Sequence, residues 1–184
     1  MEQFRFELTK AEKAYLKALV RGCINQAFEP PSEWEIPDPP TDKLRQPFGA
    51  FVTLTIGGQL RGCIGSLQGD KPLYLTIADM AHAAAFKDPR FPPVSGEECP
   101  RLEVEISILG PITPCTAPES VEVGRHGLIV RQGYRQGLLL PQVAVDWKWD
   151  RETFLSQTCR KACLPPDAWK LPETEIFWFE AEVF

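Results

Sequence analysis

No stretch of the sequence comes near the roughly 18 uncharged apolar residues that a membrane-spanning helix requires, so no membrane span is expected. The opening segment, Met1-Glu2-Gln3-Phe4-Arg5-Phe6-Glu7, lacks a basic stretch followed by an apolar run, and no secretory leader is read there. Positive charge is also short: 20 Lys and Arg stand against 25 Asp and Glu, a formal net charge of −5. That balance disfavours a broad footprint for DNA or RNA, although a local basic groove is compatible with it. Internal repeats and low-complexity tracts are missing. So are a glycine-rich phosphate loop, a metalloprotease helix motif and a serine nucleophile elbow. No cofactor and no metal are expected on these grounds. The expected compartment is the cytoplasm, where the six cysteines are read as thiols rather than disulfides.

What is present reads as an ordinary globular protein. With 43% apolar and 24% charged residues, its 184 residues suit one domain spanning 1–184. Thr9-Lys10-Ala11-Glu12 reads as a capping box. Behind it, Tyr15, Leu19 and Cys23 recur at helical spacing, as do Leu16, Val20 and Ile24, which predicts an amphipathic helix over 10–28. Residues 29–47 carry Pro30, Pro31, Pro37, Pro39, Pro40 and Pro47, so an irregular segment is expected, either functional or packed over the first helix. A hairpin follows: Val52, Leu54 and Ile56 alternate with Phe51, Thr53 and Thr55, Gly57-Gly58 turns the chain, and residues 59–64 return. Asp70 is the expected cap of a helix from Lys71 to about Phe86.

Further on, Asp88-Pro89-Arg90-Phe91-Pro92-Pro93 breaks that helix. Residues 101–109 form the clearest strand, with Leu102, Val104, Ile106 and Ile108 on one side and Arg101, Glu103, Glu105 and Ser107 on the other. Short strands are expected at 127–130 and 138–140, joined through 132–137. Asp150 should cap a helix reaching about Cys163, and residues 174–184 should form a closing strand. Helices and hairpins without a β-α-β rhythm imply an α+β fold, a mixed or antiparallel sheet packed with helices.

Several of these segments together carry a family resemblance. Leu60-Arg61-Gly62-Cys63-Ile64-Gly65-Ser66 resembles the signature of the AMMECR domain. Asp88-Pro89-Arg90-Phe91, His126-Gly127-Leu128 and Gly137-Leu138-Leu139-Leu140-Pro141-Gln142 follow in the family's order, and residues 154–164 resemble its last helix. The resemblance implies two lobes with a cleft between them. It also implies similarity to component A of the AmmeMemoRadiSam system, whose other components are a Memo-like protein and a radical SAM enzyme. Those two are therefore the expected partners, in a metal- or radical-linked modification pathway. Trp147-Lys148-Trp149 departs from the family pattern, where a more glycine-like approach to Asp150 is expected.

The chemistry is expected to centre on Cys63. A cysteine attacks as thiolate, and a neighbouring guanidinium favours that form. On a regular strand Arg61 and Cys63 share a face. Gly62 and Gly65 leave room for a ligand to approach the sulfur, or for a helix to cross the sheet. His126, flanked by Gly124 and Gly127 in an expected loop, is the candidate acid/base, and Glu103 the carboxylate that orients it. Arg61 and Arg90 join the two glycines as candidate substrate contacts; alternatively Arg61 holds a buried carboxylate and Arg90 pairs with Asp88. His82, inside the second helix, reads as packing. Cys159 and Cys163 share a helix face, but no second ligand pair accompanies them and the three-cysteine spacing of radical SAM enzymes is missing, so packing is the reading. Two functions fit: an enzyme acting on a small molecule or modified side chain around Cys63, or a non-catalytic module that binds partner proteins. Trp147, Trp149 and Trp178 suit the second, or a core.

Overall fold

Thr9 opens the first helix as the sequence predicts. Its hydroxyl accepts from the Glu12 amide at 3.2 Å, and Glu12 Oε2 accepts from the Thr9 amide at 2.7 Å. The computed structural model describes residues 7–29 and 34–184. Within them, α1 is Lys10–Asn25, ending three residues before the predicted 28 because residues 26–28 turn off into tight bends. Pro30 and Pro31 lie outside the described residues. The rest of the proline segment is irregular apart from a 3-10 turn at Asp42–Arg45, and it is packed on α1: Tyr15 donates to the Pro37 carbonyl, and Thr41 donates to the buried Glu12 carboxylate. The hydrogen bond from Thr41, first, and those from Thr9 hold the Glu12 carboxyl below its ordinary range.

Strands β1 (Ala50–Ile56) and β2 (Gln59–Ser66) form the expected hairpin, with Gly57 and Gly58 both at positive φ in its turn and an irregularity in register beside Leu54 and Thr55. Helix α2 runs Leu73–Phe86 rather than from Lys71. Asp70 does not cap it. Pro72 stands at the N-cap, and the first helical amide, that of Leu73, donates to the Gln46 carbonyl at 3.0 Å, a tertiary bond in place of the side-chain cap. The strand predicted at 101–109 is β3 (Glu103–Leu109), shortened by a 3-10 turn at Cys99–Arg101.

These elements build one unit, comprising residues 7–108 and Glu182–Phe184. Its antiparallel sheet runs β2-β1-β3, and Ile106 exchanges backbone hydrogen bonds with Phe184. Val52, Leu54, Ile106 and Ile108 cover one face, where α2 packs through Ile77, Ala81 and Ala84, with Leu16 and Val20 of α1 behind it. Each fully buried leucine or isoleucine there contributes roughly 1.5–3 kcal/mol. On the other face lie Phe51, Thr53 and Thr55 with their cross-strand partners Ser107, Glu105 and Glu103. Ser107, expected on a solvated face, is buried.

The second unit is Leu109–Ala181. It contains β4 (Thr113–Pro114), β5 (His126–Gln132), β6 (Arg135–Leu139), α3 (Pro141–Asp146), α4 (Arg151–Lys161) and most of β7 (Glu175–Val183). Strand β5 extends beyond the predicted 127–130 and β6 begins at Arg135 rather than 138, ending at Leu139, because a two-residue turn, Gly133-Tyr134, joins them directly. His126 is therefore the first residue of a strand and not part of a loop. The antiparallel order is β4-β7-β5-β6. Leu128, Val130, Phe154, Leu155 and Ile176 form the core, closed by Trp149, Trp169 and Trp178. Asp150 caps α4 as predicted, accepting from the Thr153 amide at 2.8 Å. Lys148 sits at φ 54°, so this lysine takes the left-handed backbone for which a glycine was expected. Cys163, also in the left-handed region at φ 57°, lies past the end of α4 and is exposed, whereas Cys159 is buried; the two do not share a packing face. Both units mix helices with antiparallel strands, an α+β fold.

Candidate binding site at a sheet edge

Strand β2 is an edge strand, and Cys63 pairs with Thr53 of β1. The Cys63 amide donates outward, away from β1, to Asp88 Oδ2 at 2.9 Å, and its carbonyl accepts from Arg90 Nη2 at 3.2 Å. Asp88 and Arg90 are locked to each other: Arg90 Nη2 lies 2.7 Å from Oδ2, while Arg90 Nε and its own amide reach Oδ1 at 2.9 and 3.1 Å. One carboxylate and one guanidinium thus take the place of a neighbouring strand at a single residue. Asp88 is 4% exposed, and these donors, Arg90 foremost, hold its carboxyl far below the ordinary aspartate range. Arg90 remains 47% exposed, and its Nη1 has no protein partner among the described residues.

The Cys63 thiol points to the sheet face opposite α2, in a row with Thr53 and Glu105. Thr53 Oγ1 donates to its sulfur at 3.2 Å. Burial raises the thiol's pKa above its ordinary 9.0. The Thr53 hydrogen bond and the Arg90 charge oppose that rise, and Asp88 and Glu105 add to it. At neutral pH the group is an uncharged thiol.

Arg61 does not activate it. Its Nε and Nη2 form a two-pronged pair with Glu98 at 2.7 and 3.0 Å, and Nη2 also reaches the Pro93 carbonyl. This is the carboxylate-holding alternative read from the sequence. The Arg61 guanidinium is the main reason the Glu98 carboxyl falls to about 2. At both glycines the space where a side chain would stand is filled by the protein itself. A side chain at Gly62 would run into the Ala84 carbonyl of α2, and one at Gly65 into the Phe51 ring. Glu103 is exposed and accepts from Thr55 Oγ1 at 3.3 Å.

His126 belongs to the second unit and is buried there at 5% exposure. Its Nδ1 accepts from the Glu122 amide at 3.0 Å, and its ring packs on Trp178 with centroids 4.7 Å apart. Burial first, and the Arg125 charge second, lower its pKa from 6.5, so it is neutral. Arg125 in turn pairs with Glu180 and Glu122. Among the sequence candidates, then, Cys63 and Arg90 come together, while Arg61, Glu103 and His126 each serve other partners. Thr53, Glu105 and Asp88 complete the Cys63 environment. Asp88 was flagged by its motif; Thr53 and Glu105 follow only from cross-strand register. No cluster of metal-ligating side chains occurs among the described residues, and no helix there is long and apolar enough to cross a membrane.

The chain is similar to other proteins over nearly its whole length. A Methanothermobacter thermautotrophicus protein is 43% identical over 183 residues, covering 96% of this chain and 95% of its own length. A Methanosarcina acetivorans protein is 52% identical over 141 residues, 74% of this chain and 70% of its own. The crystal structure of PH0010 from Pyrococcus horikoshii, described as an uncharacterized protein, superposes with a TM-score of 0.87 at 41% identity, covering 94% of this chain and 89% of that one. The AMMECR1 family model matches residues 17–184, and the chain belongs to that family.

Proposed function

We propose that the chain is a binding module whose recognition point is the clamped β2 edge, where the neutral Cys63 thiol and the Arg90 guanidinium contact an acceptor group of a small molecule or modified side chain. The observation that carries this reading is the double grip of Asp88 and Arg90 on the Cys63 backbone. The grip fixes the backbone that carries the thiol and leaves the Arg90 side chain about half exposed. A nucleophile is not favoured there, because the sulfur is held protonated and the candidate base, His126, is buried on its own partners. The Memo-like and radical SAM proteins of the AmmeMemoRadiSam system are the partners to test, with this chain presenting the bound group to them.

The test separates contact from chemistry. Cys63→Ser keeps a small neutral polar group and removes the nucleophile. It is expected to leave turnover of the reconstituted three-component system within about threefold, under 1 kcal/mol. Arg90→Lys, which loses the fork geometry, is expected to weaken assembly about tenfold, the weight of one charge-assisted hydrogen bond. Abolition of turnover by Cys63→Ser, with assembly intact, makes Cys63 a nucleophile and sinks the binding reading.

A further inference from the structure

The two outer strands differ in how their open edges are treated. On β2 the outward groups of Cys63 are capped by side chains. On β6 they are not. The turn Gly133-Tyr134 has Gly133 at φ 60°, which makes Gln132 and Arg135 the closing hydrogen-bonded pair of the hairpin. Alternation along the ladder then bonds Gly137 and Leu139 to β5 and turns the amide and carbonyl of Gln136 and Leu138 away from it. None of those outward groups has a hydrogen-bond partner among the described residues. The strand has no proline, bulge or inward-pointing charge.

We infer that the β6 edge accepts an extended, acidic segment of a partner protein by strand addition, hydrogen-bonded to the backbone of Gln136 and Leu138. Two observations choose this occupant. First, α4 lies directly on β6: a side chain at Gly137 would meet the backbone of Thr158, Lys161 and Ala162. A second copy of the chain would bring its own α4 onto the same face one strand spacing away, about 4.8 Å, whereas packed helices need roughly 8–10 Å. A bare peptide strand carries no such layer. Second, the face that α4 occupies is basic at this edge. Arg135 is exposed and donates to the Cys163 carbonyl at 3.3 Å, and the last turn of α4 exposes Arg160 and Lys161. Carboxylates at alternate positions of an added strand would meet these three groups, in a protein otherwise net negative.

The probe is a synthetic capped peptide of about eight residues alternating Glu and Thr, an ordinary strand length, compared with its Lys/Thr counterpart by fluorescence polarisation. The Glu/Thr peptide is expected to bind and the Lys/Thr peptide to bind at least about tenfold more weakly. Gln136→Pro removes an outward amide without touching the β5–β6 ladder and is expected to cost about tenfold in affinity, one hydrogen bond, while Gln136→Ala binds as wild type. Should the proline variant misfold, amide hydrogen exchange on the wild-type protein decides: Gln136 and Leu138 should become protected when the Glu/Thr peptide is added. No binding of that peptide, equal binding of both peptides, or binding without protection at those two amides overturns the proposal.

Discussion

Asp88 ties two segments together through one buried carboxylate. It is almost fully buried and accepts from the Cys63 amide and from three donors of Arg90. Asp88→Ala leaves that amide and a half-buried guanidinium unsatisfied, an expected loss of about 2–4 kcal/mol, measured by chemical unfolding. Asp88→Asn, which keeps one acceptor oxygen, should lose less. The pH dependence has a definite sign. The folded carboxyl is depressed below its ordinary 3.8, so its contribution is fully present above that value and fades as pH falls through it and lower. Stability measured between pH 5 and 2 should therefore decline in the wild type, and decline less steeply in Asp88→Asn. An unchanged slope would mean that the carboxylate is not held in the ionised form by its partners.

At the scale of elements, the sequence was legible where the forces are local. The Thr9–Glu12 capping box, the Gly57-Gly58 turn and the Asp150 cap each depend on residues within a few positions of one another, and each is where the pattern put it. It was illegible where a distant group takes over. The start of α2 depends on the Gln46 carbonyl, and the burial of Ser107 on its neighbours across the sheet. The site followed the same rule. Both motifs, around Cys63 and around Asp88, were visible, but 25 residues separate them, and only the crossing of α2 over Gly62 brings one to clamp the other. Without that register, Arg61 was the natural neighbour of the thiol and Glu98 was invisible. Lys148 offers a test at this scale. Held at φ 54° in the turn into α4, it bears the cost of a left-handed backbone, roughly 1 kcal/mol, that a glycine does not. Lys148→Gly is accordingly expected to stabilise the protein by about 0.5–1 kcal/mol, less the entropy glycine adds to the unfolded chain. A fall in thermal midpoint would show that the lysine side chain contributes more than its backbone costs.

For the molecule as a whole, we propose that the two compact parts fold as one unit. The first part is not a contiguous piece of sequence: β3 begins in it and ends in the second, and β7 begins in the second while Glu182–Phe184 belong to the first. Cutting after Ile108 would take from the first unit the segment that exchanges hydrogen bonds with Ile106, leaving an open strand along β3. The domain reading 1–184 thus makes a prediction about cooperativity. The five tryptophans divide unevenly, with Trp34 in the first unit, packed over Gly22, and Trp147, Trp149, Trp169 and Trp178 in the second. A variant retaining only Trp34 and another lacking only Trp34 report on the two units separately. Because multiple tryptophan replacements themselves cost stability, each variant is also followed by circular dichroism, and the comparison is fluorescence against dichroism within the same protein. In both variants the two signals should share one denaturant midpoint. If the Trp34 fluorescence transition separates from the dichroism of its own variant, the units unfold independently, and the strands that run from one to the other are no more than linkers.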